Sequence, residues 1–129
     1  MGNDNEHILV IDDEPAILKV LKKMLNPEGF EVDTAKSGLE GLAKVQLQTY
    51  DLLITDIKMP GVSGIQVARA VREIKADTLP VIGMSGTPWL LDRDLFDDVL
   101  SKPFLRADLL AAVTHTIKHR EQKFEPESL

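Results

Sequence analysis

The chain lacks cysteine, long apolar runs and an excess of basic residues, and each absence excludes a class of protein. Without cysteine it has no disulfide framework, thiol nucleophile or cysteine-ligated metal. No stretch approaches the roughly 18 apolar residues of a membrane span. The start of the chain is polar and its first apolar run is only residues 8–11, so we expect no secretory signal in it. Acidic residues outnumber basic ones, 21 to 15, which argues against a nucleic-acid partner. We therefore expect a cytoplasmic protein that binds neither nucleic acid nor membrane directly.

The length of 129 residues, with 43% hydrophobic and 28% charged residues, predicts one ordinary globular domain. We expect a folded domain at residues 7–121, with a flexible N-terminus at residues 1–6 and a flexible tail at residues 122–129. This division leaves no room in the chain for a DNA-binding or catalytic output domain. The sequence leaves open whether the chain is a stand-alone protein or a fragment of a larger one.

Short apolar runs alternate with longer amphipathic stretches along the whole chain. The runs predict five strands, at residues 8–11, 30–35, 52–54, 80–84 and 99–100. The stretches predict a first helix from residue 15 that ends near Pro27 and Gly29, and further helices at residues 38–49, 65–74 and 106–119. Their leucine, valine and isoleucine stripes should lie in the core. Strands that are apolar throughout and separated by helices indicate a parallel sheet covered on both faces.

Polar side chains stand where four of these strands end. Asp12 and Asp13 follow the first strand, Asp56 closes the third, Ser85 follows the fourth and Lys102 follows the fifth. Ligands of open α/β sheets bind at the carboxyl ends of the strands. Any one of these residues is explained by the general polarity of strand ends. Five chemically complementary ones on four strands instead predict a functional site.

Three carboxylates in one cleft repel one another. At a separation of 4 Å and an effective dielectric constant of 20, each pair costs about 4 kcal/mol. Such a cluster must raise the pKa of a carboxyl group or hold a cation. An all-oxygen site with few protein ligands suits Mg²⁺, which keeps several waters and shares other positions with a phosphate.

At these residues the sequence resembles the receiver domains of response regulators in two-component signalling. The matching segments are VIDDE at 10–14, TDIKMPGVSG at 55–64, MSG at 84–86 and LSKPF at 100–104. Each motif is weak alone, but together and in this order they are highly specific, and the resemblance covers roughly residues 7–120. It implies a flavodoxin-like, doubly wound sheet in the order 2-1-3-4-5.

The resemblance also implies roles for the acidic residues. Asp56 looks like the phosphoacceptor, a nucleophile that forms an acyl phosphate. Asp13, Asp56 and the backbone carbonyl of Lys58 look like ligands of Mg²⁺, with Asp12 acting through a metal-bound water. The expected phosphodonor is a histidine kinase or a histidine phosphotransfer protein. The chain would be a signalling phosphoprotein that assists its own phosphorylation and dephosphorylation, and not a metabolic enzyme.

Two further residues complete the implied site. Lys102 would supply positive charge beside the phosphoryl group, and Ser85 would donate a hydrogen bond to a phosphoryl oxygen and act as the switch. The bond between Lys102 and Pro103 resembles the cis peptide of the family.

The sequence departs from the family between the fourth and fifth strands. Lys102 follows Ser85 by 17 positions, roughly five fewer than usual, or about 7 Å of helix at about 1.5 Å per residue. The helix expected there should be short or irregular. Val99 stands where many receivers carry a tyrosine or phenylalanine switch. We expect output to pass through residues 88–104, by binding a downstream protein or by self-association.

Two other functions remain open at this point. A constitutive binding module that kept the fold is favoured by the shortened connection and disfavoured by the complete set of site residues. A metabolic enzyme on the same fold, such as a flavin protein or an aspartate-dependent phosphatase, lacks support. After the first strand the chain has neither a phosphate-binding loop nor an Asp-x-Asp pair.

Overall fold

A computed structural model describes residues 5–123 of the chain. These residues form a parallel five-stranded sheet in the order β2-β1-β3-β4-β5. The strands are β1 His7–Ile11, β2 Glu31–Ala35, β3 Leu52–Asp56, β4 Val81–Ser85 and β5 Asp98–Ser101. The helices are α1 Pro15–Leu25, α2 Gly38–Leu47, α3 Gly64–Lys75 and α4 Arg106–Lys123. The predicted flavodoxin-like fold and strand order are confirmed.

Local chemistry explains where the helices begin. Pro15 occupies the first position of α1, where its missing N–H removes no hydrogen bond. Ser37 accepts a hydrogen bond from the backbone N–H of Glu40 and so caps α2. Ser63 and Gln66 form a reciprocal capping box at the start of α3. Each of these starts lies just after a strand, which places the strand–helix loops at one edge of the sheet.

The core has two halves, one on each face of the sheet. One half joins alternate residues of the central strands to α1 and α4, with Leu21, Leu109 and Val113 fully buried. The other half joins the remaining strand residues to α2 and α3. Every residue of β3 and β4 is buried because helices cover both faces of these strands.

Several sequence-based boundaries and burial assignments were wrong. Leu39 and Leu47, assigned to the core stripe of α2, are 70% and 81% exposed. Strand β2 begins one residue later than expected and α2 ends two residues earlier. Helix α4 runs to Lys123, four residues past its expected end and two residues into the segment assigned to a flexible tail. The rest of that tail, and residues 1–4 of the expected flexible N-terminus, lie outside the described residues.

The connection between β4 and β5 is irregular, as predicted. A single 3₁₀ turn at Pro88–Leu90 replaces a regular helix. We call residues 86–97 the β4–β5 connection. Within residues 5–123, no helix is long and apolar enough to cross a membrane.

Candidate functional site

The sheet brings all five predicted site residues to one edge. Strand β1 lies beside β3, and the register that pairs Ile11 with Thr55 leaves Asp12 and Asp56 at the same level. On the other side of β3, Ser85 closes β4 and is paired with Ser101, the residue before Lys102. The prediction that four strand ends converge on one edge of the sheet is therefore confirmed.

Three carboxylates form the centre of this site. Asp12, Asp13 and Asp56 each place an oxygen within 4.8 Å of the others. Asp12 is fully buried and Asp56 is 7% exposed, whereas Asp13 lies on the surface. The cluster thus has a buried floor and one arm that reaches solvent, an arrangement that can hold a cation and leave room for water and an anionic ligand.

Among the described residues, Lys102 is the cation that contacts this cluster. Its Nζ donates a hydrogen bond to Oδ1 of Asp56 at 2.9 Å and a longer one to Oδ2 of Asp12 at 3.4 Å. Its backbone N–H donates to the carbonyl of Ser85 at 2.8 Å. The peptide bond to Pro103 is cis, as the resemblance implied. Lys102 therefore joins the ends of β1, β3 and β4 to the end of β5.

The pKa values of Asp12 and Lys102 are both raised at this site. Burial raises the pKa of Asp12, and the nearby charge of Asp56 raises it further. The backbone N–H of Glu14 and the ammonium of Lys102 oppose this rise without cancelling it. Burial lowers the pKa of Lys102, but the hydrogen bond to Asp56 and the two carboxylate charges outweigh it and raise that pKa. Lys102 is therefore a cation throughout the physiological pH range.

A cleft of about 290 Å³ opens above Asp56. Its wall includes Ser85, whose Oγ accepts a hydrogen bond from the backbone N–H of Thr87 at 2.9 Å. The same Oγ lies 3.4 Å from Oγ1 of Thr87, a contact in which either hydroxyl could donate. The other lining residues are Glu14, Ile57, Lys58, Met84, Gly86, Thr87 and Lys102. The volume and polarity of the cleft suit a small anionic group.

The loop after Asp56 closes tightly on the strand. A methyl group at Gly64 would lie 2.1 Å from the carbonyl oxygen of Asp56 and 2.8 Å from Cα of Ile57. The N–H of Gly64 donates to the carbonyl of Ile57 at 2.9 Å. Only glycine permits this approach, so the start of α3 fixes the backbone of the strand that ends at Asp56.

Sequence reasoning missed two polar side chains among the cleft residues. Glu14 and Thr87 line the cleft, but neither was among the predicted site residues. Their positions directly after the acid pair and two residues after Ser85 were the available signal. Lys58 was predicted, and its exposed side chain also lines the cleft. The role of its backbone carbonyl as a metal ligand stays a prediction.

Comparison with known proteins decides the family. The model of the response regulator receiver domain matches residues 8–114. The chain belongs to this family. Sensor protein EvgS of Escherichia coli (strain K12) is 40% identical over 87 residues, which are 67% of this chain and 7% of that protein. Transcriptional regulatory protein ResD of Bacillus subtilis (strain 168) is 33% identical over 126 residues, 95% of this chain and 52% of that protein. The chain thus spans about half of the length of ResD and a small fraction of the length of EvgS.

Solved structures show the same fold. The response regulator TrrA of Thermotoga maritima, determined in complex with Mg²⁺-BeF, has a TM-score of 0.80 and 38% identity, covering 86% of this chain and 98% of that one. A CheY-like receiver domain from Methanospirillum hungatei has a TM-score of 0.84 and 26% identity, covering 93% of this chain and 99% of that one. The receiver domain is therefore a structural unit shared nearly in full with these proteins.

Proposed function

We propose that this receiver domain accepts a phosphoryl group on Asp56 from a phosphohistidine of a histidine kinase or histidine phosphotransfer protein. The reaction is Mg²⁺-dependent and switches a partner interaction. The observation that carries the proposal is the surroundings of Asp56 at the base of the cleft. Lys102 lies 2.9 Å from one oxygen of this carboxylate, and two further carboxylates lie within 4.8 Å.

The charge and chemistry of the cluster fit Mg²⁺. Three carboxylates and one ammonium leave a net charge of −2 (−3 + 1), which one divalent ion neutralises. The donors are all oxygens, which a hard cation prefers. Asp13, Asp56 and the carbonyl of Lys58 would hold the ion directly, and Asp12 would act through a water. When bound, Mg²⁺ supplies positive charge that offsets the charge of the phosphoryl oxygens.

The residues of this chain position the reacting groups. A carboxylate oxygen of Asp56 bonds to phosphorus while the P–N bond to the donor imidazole breaks, which leaves an acyl phosphate and a free histidine. Lys102 orients the Asp56 carboxylate and places an ammonium beside the transferred group. Ser85 would donate its proton to a phosphoryl oxygen in place of the long 3.4 Å contact between its Oγ and Oγ1 of Thr87. Attack by water later releases inorganic phosphate and restores the carboxylate.

Output through residues 88–104 is part of the proposal. Trp89 and Leu90 in the 3₁₀ turn are 73% and 72% exposed. They lie two and three residues beyond Thr87, which lines the cleft. An ordering or shift of this turn would change a surface that a downstream protein or a second copy of the chain can bind. Beryllofluoride with Mg²⁺ should therefore change the emission of Trp89, the only tryptophan.

Intact-mass measurement tests phosphorylation directly. With Mg²⁺ and acetyl phosphate, a fraction of the protein should gain the mass of one phosphoryl group, and hydroxylamine should remove it. Asp56→Asn and chelation of Mg²⁺ should each abolish the gain. Asp51→Asn, at the opposite end of the same strand, should retain it. A wild-type protein that stays unmodified where an ordinary receiver is labelled would instead favour a constitutive binding module.

A further inference from the structure

The β4–β5 connection is exposed or half-buried along its length, except at one buried residue. Trp89 and Leu90 are exposed. Phe96, at the other end, is only 4% exposed and belongs to the apolar cluster beneath α2 and α3. A large buried ring thus occupies the part of the connection that leads into β5.

The ring of Phe96 lies directly on the backbone of β4. A methyl group at Gly83 would come within 2.9 Å of Cε1 and 3.0 Å of Cδ1 of Phe96, and within 3.2 Å of Cδ1 of Ile57. The absence of a side chain at Gly83 therefore leaves a gap on β4, which we call the seat. The side chains of Phe96 and Ile57 cover this seat together.

These contacts involve the two segments that carry the reacting groups. Ile57 directly follows Asp56, and Gly83 precedes Ser85 by two residues. The two segments are also joined by the hydrogen bond from the N–H of Ile57 to the carbonyl of Met84 at 3.2 Å. The Phe96 ring therefore packs against the pair of segments whose spacing sets the distance between the phosphoacceptor and the hydroxyl.

Arg72 of α3 anchors the two residues that flank Phe96 in the sequence. Its guanidinium donates to the carbonyl of Leu95 at 2.8 Å and to Oδ2 of Asp97 at 3.0 Å. The same Asp97 oxygen accepts the N–H of Val81 at 2.7 Å. The residues on either side of Phe96 are thus tied to α3 and to the start of β4, which leaves the ring little freedom to leave its seat.

We propose that Phe96 is a positioning residue for the phosphoacceptor site, acting through Gly83 and Ile57 to fix Ser85 relative to Asp56. This proposal rests on the proposed phosphotransfer function. Asp12 and Asp13 lie in the loop after β1 and are not among the residues that meet at Gly83.

The test separates the rate of phosphorylation from metal binding. Phe96→Leu removes the ring edge, and we expect its phosphorylation rate at saturating Mg²⁺ and acetyl phosphate to fall about tenfold or more, because small misplacements of reacting groups carry large rate penalties. The dissociation constant for Mg²⁺, measured by titration calorimetry, should change less than the rate does, because Ser85 is not among the proposed metal ligands. Leu79→Ala truncates a buried residue of the same apolar cluster near the start of β4. It should lower the melting temperature without lowering the saturated rate.

A second substitution checks that the effect passes through the seat. Gly83→Ala should slow phosphorylation because its methyl group displaces the ring. The double variant with Phe96→Leu should be slowed less than the product of the two single effects, since leucine lacks the Cε1 atom that the methyl group meets. Equal saturated rates for wild type and Phe96→Leu, or independent effects in the double variant, would overturn the proposal. Failure of the wild type to be phosphorylated at all would instead count against the proposed function.

Discussion

Replacing Lys102 with methionine should destabilise the metal-free protein more than a substitution at an ordinary surface position does. The substitution keeps the length of the side chain and removes hydrogen bonds of 2.9 Å to Asp56 and 3.4 Å to Asp12. Loss of one partner from a buried ion pair typically costs about 3–5 kcal/mol. The Lys102 side chain is 25% exposed, and Asp12 keeps its hydrogen bond from Glu14, so we expect a smaller loss of about 2–3 kcal/mol.

Urea denaturation in the presence of EDTA, followed by circular dichroism, measures this loss. Lys19→Met makes the same chemical change on the exposed side of α1 and should alter the free energy of unfolding by less than about 0.5 kcal/mol. The comparison separates removal of the paired charge from removal of any lysine.

Added Mg²⁺ supplies the second half of this prediction. With the ammonium gone, the cluster carries a net charge of −3 instead of −2, so Mg²⁺ should stabilise Lys102→Met more than it stabilises the wild type. Equal stability of wild type and Lys102→Met in EDTA would show that Lys102 does not offset the repulsion between the carboxylates. An equal response of both proteins to Mg²⁺ would refute the charge argument for the metal site.

Three further predictions follow from other contacts. If Mg²⁺ binds with a dissociation constant near about 1 mM, about 10 mM Mg²⁺ should stabilise the wild type by about 1.4 kcal/mol in urea denaturation, and Asp13→Asn should abolish that response. Burial raises the pKa of Asp33, but hydrogen bonds from the Tyr50 hydroxyl at 2.7 Å and from His7 outweigh burial and lower that pKa overall. Tyr50→Phe should therefore lower the free energy of unfolding by about 1 kcal/mol at pH 7. In urea denaturation this difference from wild type should narrow as the pH falls below 3.8, the ordinary pKa of the Asp33 carboxyl group. The reason is that the stabilisation from a lowered pKa is lost when the carboxylate is protonated. Gly64→Ala should cost more than about 2 kcal/mol in thermal or urea denaturation because its methyl group would meet backbone atoms, whereas Gly86→Ala, with open space around it, should change stability little.

The family and the site residues could be predicted from the sequence because strand ends are marked by local chemistry. Continuous apolar runs ended by Asp12, Asp56 and Lys102 locate the edge of a parallel sheet without any knowledge of contacts. The short spacing between Ser85 and Lys102 likewise predicted the irregular connection that the structure has.

Burial along the surface helices was less predictable. Leu39 and Leu47 are apolar and lie in a helix whose stripe was assigned to the core, yet both are largely exposed. Periodicity identifies which residues share a helix face, but the width of the covered stripe depends on how closely the neighbouring elements pack.

The sequence by itself determined which residues could do the chemistry, and the tertiary structure decided which of them contact one another. Lys102 pairs with Asp12 across 90 positions of the chain, and Phe96 rests on Gly83 beside Ile57. Neither contact leaves a periodic signal, because each depends on the register of parallel strands and on the path of a connection without regular structure. Local propensity sets the elements of this receiver domain, whereas the distances within its site arise only when those elements pack into one sheet.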